Sequence, residues 1–266
     1  MDEAVIISAV RTPIGKYGKA LAGFKATELG TMVVKEAVSR AGLQPTDIQE
    51  CIMGNVLGAG LGQNPARQAA IGAGLPVEIG SFTVNAVCGS GMKAAMLAAD
   101  AIKAQQYEAL VVGGMESMSN APYLMPGARW GYRMNDQTVV DSMVHDGLWD
   151  IFNNQHMGFT GEIVAERFNV TREDADRLSM ESHLKAAKAA KEGKFKKEIL
   201  PITIHSKKGD TVGTITLRDE FGNVRTAELI AAKDAAVQAW VIYAAAGLII
   251  AIAAVCIALR KRSRAK

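Results

Sequence analysis

Four short apolar runs, at residues 5–10, 48–57, 81–84 and 109–114, alternate with segments of helical character, and this alternation restricts the fold more than any other property of the chain. The intervening segments lie at 27–41, 65–73 and 89–104, the last two rich in small residues, and Gly42 directly follows the first as a helix stop. Runs that are continuously apolar rather than alternating describe strands buried on both faces. The expectation is therefore an α/β fold, a parallel sheet covered by helices on each side. With 266 residues and 49% hydrophobic content, the chain can build one large core or two smaller ones.

The pattern changes after Glu116. Residues 117–165 are rich in Met, Gly, Asn and aromatics with little period, which predicts an inserted, loop-rich region. A helix should start at Thr171, an N-cap followed by Glu173 and Asp174, and end near Lys191, Gly193 and Lys194. Asn169-Val170-Thr171 also spells a glycosylation triplet, but the cap is the preferred reading. One more strand is expected at 199–204. A hairpin over 211–227 should follow, with Val212, Ile215 and Leu217 alternating and residues 219–223 as its turn.

The formal charge of +3 is misleading, because Arg260, Lys261, Arg262, Arg264 and Lys266 stand in the last seven residues. Without these five, 25 basic residues face 27 acidic ones, which leaves no surface suited to nucleic acid. Cys51, Cys88 and Cys256 are odd in number and far apart, the usage of a reducing compartment, and no metal-ligand spacing occurs. The Met-Asp-Glu start predicts no secretory signal. Residues 239–259 carry no charge, and as a helix they would extend about 31 Å, enough to cross a bilayer. Trp240, Tyr243 and the basic cluster from Arg260 suit the two ends of a transmembrane helix.

Asn85-Ala-Val-Cys88-Gly-Ser-Gly91 places a thiol where a strand gives way to a helix. Unpaired amides and the helix dipole at such a point favour a thiolate, and glycines at 89 and 91 let a substrate come close. A thiolate so placed is a nucleophile for acyl transfer. Gly58, Gly60 and Gly62 invite comparison with a dinucleotide loop, but Gln63 fills the sixth place and the strand before them is the second.

The segment "NAVCGSG" at 85–91, followed by "GGMESMSNAPYL" at 113–124 and "HMGFTGE" at 156–162, resembles the thiolase family, the acetyl-CoA acetyltransferases. So do "RTPIGKYGKALAGFKATELG" at 11–30 and "GNVLGAGLGQNPARQAAIGAGLP" at 54–76, and the agreement runs from Val5 to about Asp210. The resemblance implies a thiolase-like layered α/β/α N-terminal domain at 1–116, lacking its last strand and helix. A loop domain covering coenzyme A would occupy 117–210. A hairpin or linker of uncertain origin would follow at 211–238, then the membrane helix at 239–259 and the basic tail at 260–266. By the same resemblance Cys88 is the acyl-accepting nucleophile, and Leu148, His156 and Met157 line the pantetheine and acyl end of the substrate. Gln63, Asn64 and Arg67 match a segment that packs near the subunit interface and are assigned structure rather than chemistry. Coenzyme A thioesters are the substrates, no resident cofactor or metal is implied, and a homo-oligomer is expected.

The likeness also exposes gaps. The family uses a His in Gly-His-Pro, a second Cys in Cys-x-Gly and an Asn in Asn-Glu-Ala-Phe, and none of these strings occurs here. The expected function is therefore acetyl-CoA C-acetyltransferase chemistry through a Cys acyl-enzyme with impaired turnover. The alternative is an inactive membrane-tethered module that binds acyl-CoA or pairs subunits, and a β-ketoacyl synthase ranks third. Departure near Thr211 suggests a junction with an exported protein, against which stands a tail anchor with the thiolase segment cytoplasmic. Residues 214–217 could supply a strand to the exposed edge of the sheet.

Overall fold

The computed structural model describes residues 3–206, 211–218, 224–230 and 235–238. Two compact units are present, one formed mainly by residues 15–180 with the N-terminal segment, the other mainly by the residues that follow.

The first unit is built on three parallel strands: β1 (Glu50–Gly54), β2 (Gly80–Val84) and β3 (Leu110–Gly114), in the order β2-β1-β3. Cys51 is opposite Ser81 on one side and Val111 on the other, which sets the register across the sheet. Helix α1 (Ala26–Ala41) and helix α2 (Pro65–Gly72) cover the face to which Cys51 and Met53 point, and they share a core with both. Small residues let these two helices approach closely: a Cβ on Gly72 would stand 2.7 Å from Thr31 Oγ1, and one on Gly30 would strike Met115. Gly42 closes α1 in the left-handed conformation (φ 72°), its N–H returning to the carbonyls of Val38 and Ser39.

Side chains alternate along a strand, so Ile52 and Gly54 face the other way. A Cβ added to Gly54 would meet the backbone of Ser90 at 2.6 Å, which places helix α3 (Ser90–Lys103) on that second face. The result is helix, sheet, helix, the layered α/β arrangement expected from the apolar runs.

The first apolar run behaves differently. Residues 5–10 form no strand, and Val5, Ile6 and Ile7 are exposed. An apolar run becomes a strand only when a neighbour's ladder groups satisfy its amides and carbonyls, and hydrophobicity alone does not supply that pairing. The run instead lines a cavity of about 550 Å³ together with Val34, Val38, Ala98, Ile102 and Val112. Among the described residues, β3 therefore has no strand on its outer edge.

From Met118 the chain forms short elements: the paired strands β4 (Tyr123–Leu124) and β5 (Val140–Asp141), helix α4 (Ser142–Gly147), then β6 (Trp149–Asp150) paired with β7 (Gln155–His156). Helix α5 (Gly158–Arg167), which the sequence did not suggest, has no buried residue. Helix α6 (Arg172–Lys191) starts where expected, with Thr171 Oγ1 accepting from Asp174 N–H at 3.1 Å.

In the second unit, β8 (Thr203–Ser206) is antiparallel to β11 (Ala235–Gln238). The strands β9 (Thr211–Arg218) and β10 (Val224–Ile230) form the expected hairpin. Because β9 pairs with β10 in a two-stranded sheet, residues 214–217 do not extend the parallel sheet. Among the described residues, no helix is long and apolar enough to cross a membrane, and the span expected at 239–259 lies outside them.

Candidate active site

The C-terminal ends of parallel strands are where an α/β sheet presents its ligands, because each strand there turns outward into a loop. Here the ends of β1, β2 and β3 converge. Asn55 N–H donates to Val84 O and Met115 N–H to Gly54 O, so the strands stay paired to their last residues.

Cys88 lies four residues past the end of β2 and two before α3, and its thiol is exposed. The approach to it is tightly wound. Val87 has φ 49°, a left-handed conformation that a β-branched residue adopts at a cost of about 1–3 kcal/mol. Its N–H donates to Asn85 Oδ1 at 2.9 Å, and its carbonyl accepts from Ser90 Oγ at 2.6 Å and Ser90 N–H at 3.1 Å. Ser90 Oγ in turn accepts from Ala86 N–H at 3.0 Å. The helix begins at Ser90 rather than at Gly89, so the thiol stands just outside the first turn, near amides that have no intrahelical partner.

Glu116 organises the neighbouring loop. Its Oε1 accepts from Leu57 N–H (3.1 Å) and Asn55 Nδ2 (2.9 Å), and its Oε2 accepts from Val56 N–H (2.9 Å). Asn55, itself buried, also donates to Met115 O at 3.0 Å. Both acceptors require its amide nitrogen, which fixes the orientation of the side chain. The remaining Oδ1 is buried without a protein partner, an acceptor suited to a water or a ligand N–H.

Leu57 carries this order into the loop region, since a Cβ on Gly147 would lie 3.3 Å from it. Ser142 N–H and Oγ both donate to Pro122 O, tying α4 to the segment before β4. Leu148 follows α4, and Met157 N–H donates to Leu148 O at 2.8 Å while Trp149 pairs with His156. Leu148, His156 and Met157 are thus brought together in one short hairpin, with Met157 exposed and the other two half-buried. His156 Nδ1 accepts from Gly158 N–H at 3.0 Å, which assigns the proton of a neutral ring to Nε2.

Gln63, Asn64 and Arg67 act in structure. Asn64 caps α2 through Oδ1 to Arg67 N–H (3.3 Å) and donates to Ser81 O. The Arg67 guanidinium donates to Ile79 O (2.7 Å) and Val77 O (2.5 Å), and Gln63 O accepts from Gln68. Among the described residues, no group of three His, Cys, Asp or Glu could hold a metal ion. Cys51, the other described thiol, is fully buried in β1, and burial together with the Glu50 charge pushes it up to about 12.

The chain belongs to the thiolase family: the model of the thiolase N-terminal domain matches residues 4–238. The match extends beyond Asp210, so the strands from β9 to β11 fall within it and the family likeness does not stop at Thr211. The acetyl-CoA acetyltransferase of Cupriavidus necator is 53% identical over 221 residues, covering 83% of this chain and 56% of that protein. Its counterpart in Pseudomonas aeruginosa is 49% identical over 213 residues, 80% of this chain and 54% of that protein. Among solved structures, the Acat5 thiolase from Ascaris suum in complex with coenzyme A is 42% identical with a TM-score of 0.73, covering 76% of this chain and 52% of that one. The chain spans about half the length of the relatives it matches.

Glu116, Asn55 and Ser90 were not singled out from sequence. An acid two residues past β3 was the available signal for Glu116; a valine before a cysteine gives none for a left-handed turn.

Proposed function

We propose that Cys88 accepts an acyl group from an acyl-CoA thioester, as the nucleophile of acetyl-CoA C-acetyltransferase chemistry. What carries the reading is an exposed cysteine at the strand-to-helix turn of a thiolase-family chain that is 53% identical to a protein named acetyl-CoA acetyltransferase. Leu148, His156 and Met157, gathered in one short hairpin, would meet the pantetheine and acyl end of the substrate, and the related Acat5 thiolase in complex with coenzyme A supports coenzyme A as the ligand. Coenzyme A is then a substrate, and no resident cofactor enters the scheme. Self-association into a homo-oligomer is part of the proposal.

Turnover is a separate matter. Positioned acid–base groups contribute about 10²–10⁴-fold and an oxyanion site about 10²–10³-fold. The Gly-His-Pro, Cys-x-Gly and Asn-Glu-Ala-Phe strings do not occur in these 266 residues, so these residues by themselves are proposed to acylate slowly without cycling. Incubation with isotopically heavy acetyl-CoA should add one acetyl group at Cys88 and none in Cys88→Ser, with negligible steady-state thiolysis. An unmodified Cys88 would overturn the acyl-transfer reading, leaving an acyl-CoA-binding or subunit-pairing module. Normal thiolysis would overturn the expectation of impaired turnover.

The uncharged run at 239–259 supports a membrane anchor; its basic flank taken alone favours a cytoplasmic C-terminus, and it is the coenzyme A chemistry of the thiolase segment that favours a tail anchor with that segment on the cytoplasmic side. Fractionation should leave the chain in the membrane pellet after alkaline carbonate, and its release into the supernatant would exclude a spanning segment.

A further inference from the structure

We infer that Ser90 and Asn85 are positioning residues: they hold Val87 in its left-handed turn and so fix the direction in which the Cys88 thiol leaves the chain. The inference rests on the acyl-transfer reading of Cys88. A β-branched residue at φ 49° is disfavoured by its own side chain, and Val87 is 51% exposed, so burial offsets little of that strain. The conformation persists because its surroundings over-determine it. Both polar main-chain atoms of Val87 are bonded, the N–H to Asn85 Oδ1 and the carbonyl twice to Ser90. The Ser90 hydroxyl also holds Ala86 N–H, and Ser90 itself is buried against Gly54 at the end of the central strand. The clamp therefore refers the turn to the sheet. Relaxing Val87 to an ordinary negative φ would rotate everything that follows, and the first side chain that follows is Cys88.

Direction matters for the reaction. The Cys88 sulfur forms a bond to the acyl carbon, the bond from that carbon to the coenzyme A sulfur breaks, and the proton lost by Cys88 leaves on the coenzyme A thiol. Attack of this kind needs sulfur and carbonyl carbon aligned, whereas alkylation by a small mobile reagent does not.

The test uses the purified full chain with transfer of acetyl from acetyl-CoA to Cys88 followed by mass spectrometry. Ser90→Ala should slow transfer by about 10- to 100-fold, the scale of a misplaced reacting group, while alkylation of Cys88 by iodoacetamide stays close to the wild-type rate. Asn occupies the left-handed region readily, so Val87→Asn added to Ser90→Ala should recover most of the lost rate. Asn85→Ala, on an exposed loop residue, should behave as Ser90→Ala does and respond to the same second change, which keeps the test decisive if Ser90→Ala does not fold. Transfer at the wild-type rate in Ser90→Ala, or in Asn85→Ala where that variant stands in, overturns the inference, as does a double variant no faster than its single. Running the series in parallel with p-nitrophenyl acetate separates the two readings. Acetylation of Cys88 by this ester but not by acetyl-CoA defeats the coenzyme A reading, and the variants still decide the turn; acetylation by neither defeats both.

Discussion

A carboxylate accepts hydrogen bonds on both oxygens, and Glu116 uses that capacity on two main-chain amides and one side-chain amide of a single loop. Glutamine cannot replace it: one of its two terminal atoms is a donor, which would face an amide N–H. Glu116→Gln should lower stability by about 1.5–3 kcal/mol, the range for a hydrogen bond to a charged group, as read by urea denaturation. Glu116→Gln with unchanged stability would show that the loop closes without the carboxylate. Gly54 is constrained by space instead. A methyl there would stand 2.6 Å from backbone, which cannot swing aside as a flexible side chain could. Gly54→Ala should cost about 1–3 kcal/mol by overpacking, and by lifting the first turn of α3 it should slow acetyl transfer to Cys88. Gly91→Ala, whose added Cβ meets nothing nearer than 3.7 Å, is the matched control for stability. None of this was legible beforehand, because a short glycine–serine approach is a property of two elements at once. The glycines of 85–91 were visible in the sequence, but their partner on β1 was not.

Elements were legible where their ends carry local chemistry. Gly42 ended α1 and Thr171 started α6 because a left-handed cap and a side-chain cap both depend on residues adjacent in sequence. The hairpin of β9 and β10 was readable for the same reason, its alternation and turn being contiguous. Elements that depend on a distant partner were not legible. Residues 5–10 have the composition of a strand without the pairing, and α5 buries none of its residues, its apolar Phe159, Ile163 and Val164 all standing exposed. The α6 cap also yields a pH prediction. Hydrogen bonds from the Thr171 hydroxyl and main chain, joined by Arg177, hold the Asp174 carboxyl below the usual carboxylate range. A depressed folded-state pKa means the unfolded chain binds the proton first, so this contribution is complete above the ordinary range and fades as pH falls through it. Thr171→Ala should cost about 1 kcal/mol at neutral pH. Its difference from wild type in chemical denaturation should shrink on acidification, and a constant difference down to acid pH would assign the cost to something other than the cap.

At the scale of the molecule, two described thiols report opposite conditions. Cys88 is open to reagents at the turn before α3, whereas Cys51 sits within the central strand with no exposed surface. Iodoacetamide on the native chain should label Cys88 and leave Cys51 untouched until the sheet opens, so the rate at Cys51 measures unfolding of the core rather than thiol chemistry. Burial and the Glu50 charge also move Cys51 up to about 12. In the unfolded chain the same thiol loses its proton in the ordinary range, about 8.5. Between these values the folded state holds a proton that the unfolded state has released, so stability falls as pH rises, with a slope approaching about 1.4 kcal/mol per unit from this group. Below the ordinary thiol range both states are protonated and the group contributes no slope. Cys51→Ala removes the titrating group while leaving a small residue in the strand. Its alkaline stability curve should therefore be flatter than wild type between about pH 9 and the unfolding limit, even though its stability at neutral pH is lower for lost packing. Parallel curves across that interval would mean that Cys51 ionises freely in the folded chain, which a thiol enclosed by α1, α2 and the sheet could do only if that core opened.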